Sequence, residues 1–135
     1  RQHSLLDAIA QRRADEYFSF LSGKSKRPPA IAGVAGSLIA SSRKLSRELR
    51  AVSYRIQAII ENSAIGPRSP EATVRAWMNS ESHRKAMVDR AYLDSGIGVA
   101  WGETDKGPVV VWIQILGVER GEDPMEDRES VIGAD

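Results

Sequence analysis

The pattern of apolar and polar positions along the first half of the chain predicts two helices and a strand. Ser4–Leu21 has apolar residues every three to four positions, which is typical of an amphipathic helix, and Arg13 is expected to face water. Residues 30–47 predict a second helix, rich in small side chains. Tyr54 to Ile60 alternates as a strand does, and Glu61 is expected to close it near a loop.

The second half of the chain predicts two short helices and two strands. Ser69-Pro70-Glu71 is a typical helix start, with a capping hydroxyl, proline at the first helical position and an acid near the positive end of the dipole. Another short helix is expected to begin near Ser80 or Ser82. Gly96 to Trp101 predicts a strand, and Pro108 to Leu116 predicts a second, almost continuously apolar one. Together these two strands predict an antiparallel hairpin.

The order of these elements predicts an α/β fold. An apolar hairpin with helices available for both faces indicates a three-layer α-β-α sandwich around a small, mainly antiparallel sheet. The length of 135 residues is that of one domain, which we expect to span residues 1–118. Residues 119–135 carry seven acidic and two basic residues, and they predict a flexible acidic tail.

Composition narrows the classes of function. Apolar residues make up 41% and charged residues 27% of the chain, as in ordinary globular proteins. Cysteine is absent, which excludes disulfides and thiolate metal sites, and no apolar run is long enough for a transmembrane segment. Residues 1–60 carry 11 Lys and Arg against 4 Asp and Glu, yet aromatic residues do not interleave with the basic ones, so no nucleic-acid partner is expected.

Two residues are candidates for chemistry. Glu61 and His83 each follow an apolar element, and a histidine in contact with a carboxylate can perform acid–base work. The alternative is a hydrogen-bonded pair that only ties a loop to the sheet. Two ligands are too few for a zinc site, so no metal or other cofactor is expected, although a divalent cation at His83 and Glu61 is the nearest possibility. His3, the other histidine, is interpreted as a surface or tail residue.

Several short motifs, in one order, resemble a known family. They are Glu61-Asn62-Ser63-Ala64, the run Trp77-Met78-Asn79-Ser80, Ser82-His83-Arg84, Gly96-Ile97-Gly98-Val99-Ala100 and Val111-Trp112-Ile113-Gln114. Each is weak alone, but the ordered set resembles a bacterial-type domain of the CAP superfamily, also called the SCP domain. The resemblance covers the chain from about residue 5 to residue 117. It implies an α-β-α sandwich and a secreted or cell-envelope protein, although no signal peptide is visible in this chain.

The resemblance also implies a cleft with a degenerate set of functional residues. Relatives typically line the cleft with two histidines and two acids, some of them binding zinc or another divalent cation. By this resemblance, the chain retains one acid, Glu61, and one histidine, His83. Arg47 stands where relatives have the other histidine. The implied cleft-lining residues are Glu61, Asn62, Ser80, Glu81, His83 and Arg47. Arg47 is expected to form an ion pair with Glu61 and to fill the cleft.

These features favour a non-enzymatic protein that binds a ligand or partner in or near the degenerate cleft. The resemblance suggests a lipid, a sterol or a protein surface, and one expected lipid route is a groove beside the small-residue stretch at residues 30–40. One alternative is a protease-like hydrolase that uses Glu61 and His83 with a metal or a bound water. Another is a purely structural interaction module at the cell surface.

Overall fold

The computed structural model describes residues 1–27, 29, 47, 49–51 and 53–122. Its elements are α1 (Ser4–Leu21), β1 (Ile56–Ile65), α2 (Pro70–Met78), α3 (Glu81–Val88), β2 (Asp94–Thr104) and β3 (Gly107–Glu119). The three strands form one antiparallel sheet in the order β1-β3-β2. Helix α1 packs on one face, and α2 and α3 pack on the other face at β1. This arrangement confirms the predicted α/β fold class.

Parts of the predicted organisation lie outside the described residues. Most of the predicted helix at residues 30–47, and with it the expected lipid groove at residues 30–40, belongs to that part of the chain. The same holds for residues 123–135 of the predicted acidic tail. Glu119 is the last residue of β3, and the backbone N–H of Arg120 donates to the carbonyl of Arg55 at 2.8 Å. The first residues after position 118 are therefore hydrogen-bonded to the domain.

Helix α1 has the predicted bounds and supplies one side of the main core. Its buried apolar side chains recur at helical spacing and pack against the side chains of β3 that point to the same face of the sheet. The members of the main core cluster on these two elements are Leu6, Ile9, Ala10, Ala14, Tyr17, Val111, Ile113 and Ile115. Burial of this kind contributes roughly 25 cal/mol for each Å² of apolar surface removed from water.

Two glycines of β2 let α1 lie directly on the sheet. A Cβ atom added to Gly96 would overlap the backbone of Leu6, and one added to Gly98 would overlap the backbone of Ala10. Glycine normally weakens a strand, unless another backbone approaches it closely. The Gly96-Ile97-Gly98 pattern is therefore explained by the packing of the helix.

Side chains of α1 also occupy the free edge of β2. The backbone N–H of Ile97 donates to Oδ1 of Asp7 at 2.9 Å, and that of Val99 donates to Oε1 of Gln11 at 3.1 Å. Nε2 of Gln11 in turn donates to the carbonyl of Val99 at 2.7 Å. These bonds satisfy backbone groups that an edge strand would otherwise leave to water or to another chain.

Strand β1 is longer than predicted. It runs to Ile65 instead of closing at Glu61, because β3 supplies ladder partners along the whole segment, with Glu61 opposite Ile115 and Ile65 opposite Val111. Gly66, at φ 118°, follows the last strand residue. Glu61 therefore lies within a strand, and the expected loop position is wrong.

The second helical layer covers β1 and leaves the outer strand β2 exposed. Trp77 of α2 is buried, and its Nε1 donates to the carbonyl of Ser63 in β1 at 3.0 Å. On the same face of the sheet, Trp101 of β2 is 70% exposed and Ile97 is 43% exposed. No helix in the described part of the chain combines the length and apolar character needed to cross a bilayer.

We predict that Gly98→Ala destabilises the fold by about 3 kcal/mol or more, because the added methyl group meets helix backbone that cannot rotate away. Gly102→Ala is the matched control: its Cβ would meet Cζ of the Phe18 side chain at 2.7 Å, and this ring can shift, at about 1 kcal/mol. Urea unfolding of both variants measures the difference. Equal losses would contradict the proposed helix–strand contact.

Candidate functional site

Glu61 is held by an arginine of α1. Nε of Arg13 donates to Oε2 at 2.8 Å, and Nη2 donates to Oε1 at 3.1 Å, so both carboxylate oxygens are engaged. Both residues are 5% exposed. The expectation that Arg13 faces water is wrong. Its spacing from Ile9 and Ala10 places it on the apolar stripe of α1, and this spacing is the sequence signal for its burial.

The surroundings of this ion pair reinforce its charged form. Burial acts to lower the pKa of Arg13, but the hydrogen bond and negative charge of Glu61 outweigh it and raise the pKa. The guanidinium also lies over the ring of Tyr17, 5.4 Å from its centroid. Burial, and next the charge of Glu61, raise the pKa of the Tyr17 hydroxyl.

Asn62 points to the opposite face of the sheet, as the residue after Glu61 in a regular strand must. It is fully buried, and its Nδ2 donates to Oε1 of Gln114 at 3.0 Å and to the carbonyl of His83 at 3.4 Å. Its Oδ1 is buried, and no group in the described part of the chain donates a hydrogen bond to it. A buried acceptor whose hydrogen bond is not made lowers the stability of the fold by roughly 1–3 kcal/mol.

His83 lies in the first turn of α3 and contacts a serine. Its Nδ1 is 2.7 Å from Oγ of Ser80, the residue that precedes the helix, and Ser80 Oγ is 3.4 Å from Oγ of Ser82. The side chains of Ser80, Ser82 and His83 therefore lie close together because they belong to four consecutive residues at the start of α3. A serine–histidine contact can move a proton, but no carboxylate orients the imidazole among the described residues.

The sheet separates Glu61 from His83. Glu61 faces α1, whereas His83 belongs to α3 on the other side, so the structure does not bring the two candidates together. The sheet lies between the two residues, and the buried guanidinium of Arg13 engages both oxygens of Glu61, so Glu61 and His83 do not together fit a divalent metal ion. Arg47, expected to fill a cleft against Glu61, is exposed, and the guanidinium on Glu61 is that of Arg13.

An open groove runs along α3 beside β1. Its volume is about 670 Å³, and its described lining combines apolar, hydroxyl and charged side chains. They are Ile60, Ser80, Glu81, Ser82, Lys85, Ala86, Asp89 and Tyr92. Two predicted cleft residues, Ser80 and Glu81, belong to this lining, and the carboxylate of Glu81 pairs with Lys85 at 2.9 Å. Asn62 is two positions beyond Ile60 in β1, so the two side chains share one face of the sheet.

Comparison with known sequences gives a family model and one curated relative. The model of the cysteine-rich secretory protein family, CAP, matches residues 4–116. The uncharacterized protein YkwD of Bacillus subtilis (strain 168) is 43% identical over 47 residues. That match covers 35% of this chain and only 18% of the relative.

Comparison with solved structures gives two similar folds. An extracellular protein containing an SCP domain from Bacillus anthracis str. Ames matches with a TM-score of 0.58 and 16% identity, over 87% of this chain and 33% of its own. An outer surface protein from Borrelia burgdorferi matches with a TM-score of 0.54 and 17% identity, over 89% of this chain and 77% of its own. The chain thus spans about a third of the first of these proteins.

We predict that Arg13→Met lowers the free energy of unfolding by about 3–5 kcal/mol, because it leaves the Glu61 carboxylate buried and unpaired. The double variant Arg13→Met/Glu61→Leu is expected to recover most of this loss. Arg12→Met, on the more exposed side of the same helix, serves as control and should cost less than about 1 kcal/mol. Additive losses in urea unfolding would show that the two groups are not coupled.

We also predict an alkaline loss of stability through Tyr17. Its folded pKa is raised above the ordinary value of 10.0, so the unfolded chain releases the proton first. The contribution of the neutral Tyr17 hydroxyl to the free energy of unfolding is therefore complete below about pH 10. Above this pH it falls, by up to about 1.4 kcal/mol for each pH unit. Tyr17→Phe should flatten this decline in urea unfolding between about pH 9 and pH 11. An unchanged slope would contradict the assignment.

Proposed function

Since the chain belongs to the cysteine-rich secretory protein family, we propose that it is a non-enzymatic binding domain of this family, with the groove along α3 as its ligand site. The observation that carries the proposal is the closed Arg13–Glu61 pair. It engages both oxygens of the acid that would otherwise be the strongest candidate for chemistry. The groove on the other face of the sheet remains open to a ligand.

The lining of the groove favours an amphiphilic ligand, of which lipids and sterols are examples. Ile60, Ala86 and Tyr92 offer apolar contact, while hydroxyls and charges of both signs surround them. The volume of about 670 Å³ lies within the range of small-molecule sites, roughly 300–1,000 Å³. Oδ1 of Asn62, which has no donor among the described residues and lies on the sheet face of Ile60, would suit a ligand hydroxyl that reaches between α3 and β1.

A protein partner is the second candidate. It is favoured by Trp101, which is 70% exposed on the uncovered outer strand, and by Ile97 on the same strand face. Large aromatic side chains that stand in water are frequent anchors of interfaces. This candidate includes the purely structural interaction module, which needs no ligand in the groove.

A hydrolase that uses Glu61 and His83 together finds no support in this geometry, because the two side chains lie on opposite faces of the sheet. The remaining dyad, Ser80 and His83, has a short contact but lacks an orienting acid among the described residues. The same contact also has a local explanation, since Ser80 directly precedes α3 and His83 lies in its first turn. A binding role therefore explains more of the site than a catalytic one.

The location that we propose is outside the cytoplasm, at the cell surface or beyond it. The two similar structures belong to proteins described as extracellular and as an outer surface protein. The family description, cysteine-rich secretory protein, agrees with this location. The absence of cysteine in this chain is compatible with it, because the fold closes on a continuous apolar core.

We predict that oleate or a soluble sterol, used as probes, shifts backbone amide resonances along α3 in the ¹⁵N spectrum. Ser82→Phe, which fills the groove, should weaken binding at least about tenfold, equivalent to about 1.4 kcal/mol. Gln57→Phe, a substitution to the same bulky ring on the exposed start of β1, is the matched control and should leave affinity unchanged.

Three results would decide against the groove. Lack of binding at high micromolar probe would remove the lipid and sterol version. Equal weakening by both phenylalanine variants would show that the effect is not local. Binding lost in Trp101→Ser but kept in Ser82→Phe would move the site to the exposed strand.

A further inference from the structure

Three side chains of metal-ligand type converge at the end of the sheet where β2 begins and β3 ends. They are His3, directly before α1, Asp94, the first residue of β2, and Glu119, the last residue of β3. One ligand atom from each lies within 4.8 Å of the other two. None of them belongs to the candidate site described above, and His3 was interpreted from sequence as a surface or tail residue.

The backbone and neighbouring groups hold these side chains in place. The N–H of His3 donates to the carbonyl of Ser95 at 2.8 Å, and its ring meets the ring of Tyr54 edge-on, with 5.2 Å between centroids. The hydroxyl of Tyr54 donates to Oδ2 of Asp94 at 2.8 Å. Oε1 of Glu119 accepts from the N–H of Arg55 at 2.9 Å. Outer-shell bonds of this kind commonly orient the ligands of a metal.

The cluster combines a buried imidazole nitrogen with two neighbouring carboxylates. Nδ1 of His3 is buried, and it has no hydrogen-bond partner among the residues that the structure describes. Asp94 is 3% exposed, and its carboxylate lies close to that of Glu119. Nε of Arg1 donates to Oδ1 of Asp94 at 3.2 Å, and its Nη2 donates to Oε1 of Glu122 at 2.8 Å. The guanidinium of Arg1 is therefore shared between two carboxylates.

We propose that His3, Asp94 and Glu119 bind one first-row divalent cation of the Zn²⁺ type. One imidazole nitrogen and two carboxylate oxygens are a donor set that suits Zn²⁺, and three protein ligands leave a fourth position for water. The cation replaces Arg1 on Asp94, while Arg1 stays on Glu122. The site ties the segment before α1 to the ends of β2 and β3, and it does not depend on the proposed function of the groove.

The test is a titration of the full 135-residue chain with ZnCl₂, followed by calorimetry and by imidazole ¹⁵N resonances. The chain has two histidines, so the resonances are assigned by one substitution. We expect one zinc ion per chain, a large shift of the His3 ring nitrogens and no shift of His83. MgCl₂, which prefers oxygen ligands alone, should bind far more weakly.

Glu119→Gln is the primary variant, because its amide oxygen still accepts from Arg55 while the ligand charge is lost. We expect it to weaken zinc binding by more than about 100-fold, since loss of outer-shell partners alone costs roughly 10–100-fold. His83→Asn is the matched control and should bind like the wild type. Arg1→Gln, which removes the competing cation, should bind more tightly.

The proposal is overturned if millimolar zinc leaves the His3 resonances unmoved, or if Glu119→Gln binds as tightly as the wild type. It also fails if zinc shifts His83 in place of His3. Because His3→Asn removes a ring that packs on Tyr54, this variant is used only after its amide spectrum shows a folded chain. None of these outcomes depends on whether oleate or sterol binds in the groove.

Discussion

The close approach of α1 to the glycines of β2 is the constraint on which the rest of the structure depends. With helix backbone lying on Gly96 and Gly98, the buried face of α1 reaches the large apolar side chains of β3, the central strand of the sheet. The same short distance brings Arg13 within hydrogen-bond reach of Glu61 on the far strand. A larger residue at either glycine would lift the helix and lengthen every one of these contacts.

The pleat of β1 places the polar side chains of Glu61 and Asn62 on opposite faces of the sheet. Adjacent residues of a strand point to opposite faces, so Glu61 and Asn62 serve two different layers. One layer is an electrostatically closed contact under α1, and the other is a hydrogen-bonded contact to α3 with a groove beside it. A motif that looks like one polar cluster in the sequence is therefore divided by the sheet.

The fold could be predicted from sequence more fully than the site. Periodicity gave α1 its observed bounds, and Ser69-Pro70-Glu71 marked the start of α2, because these signals are local and depend on few residues. The length of β1 could not be read from its own residues, since the partners that extend it belong to β3, about fifty positions later. Because β1 was expected to end at Glu61, near a loop, Glu61 and His83 were expected to meet there. Long-range partners also explain Arg13, which was interpreted as solvent-facing because it is charged, and His3, whose surroundings come from Tyr54 and Asp94.

The side chains of Asp7 and Gln11 on the β2 edge have a consequence for assembly. The outward amides of Ile97 and Val99 are already engaged, so this stretch of the β2 edge is closed to pairing with a strand of another molecule. The domain can thus expose the side chain of Ile97 to its surroundings while the backbone at that position is closed to strand addition.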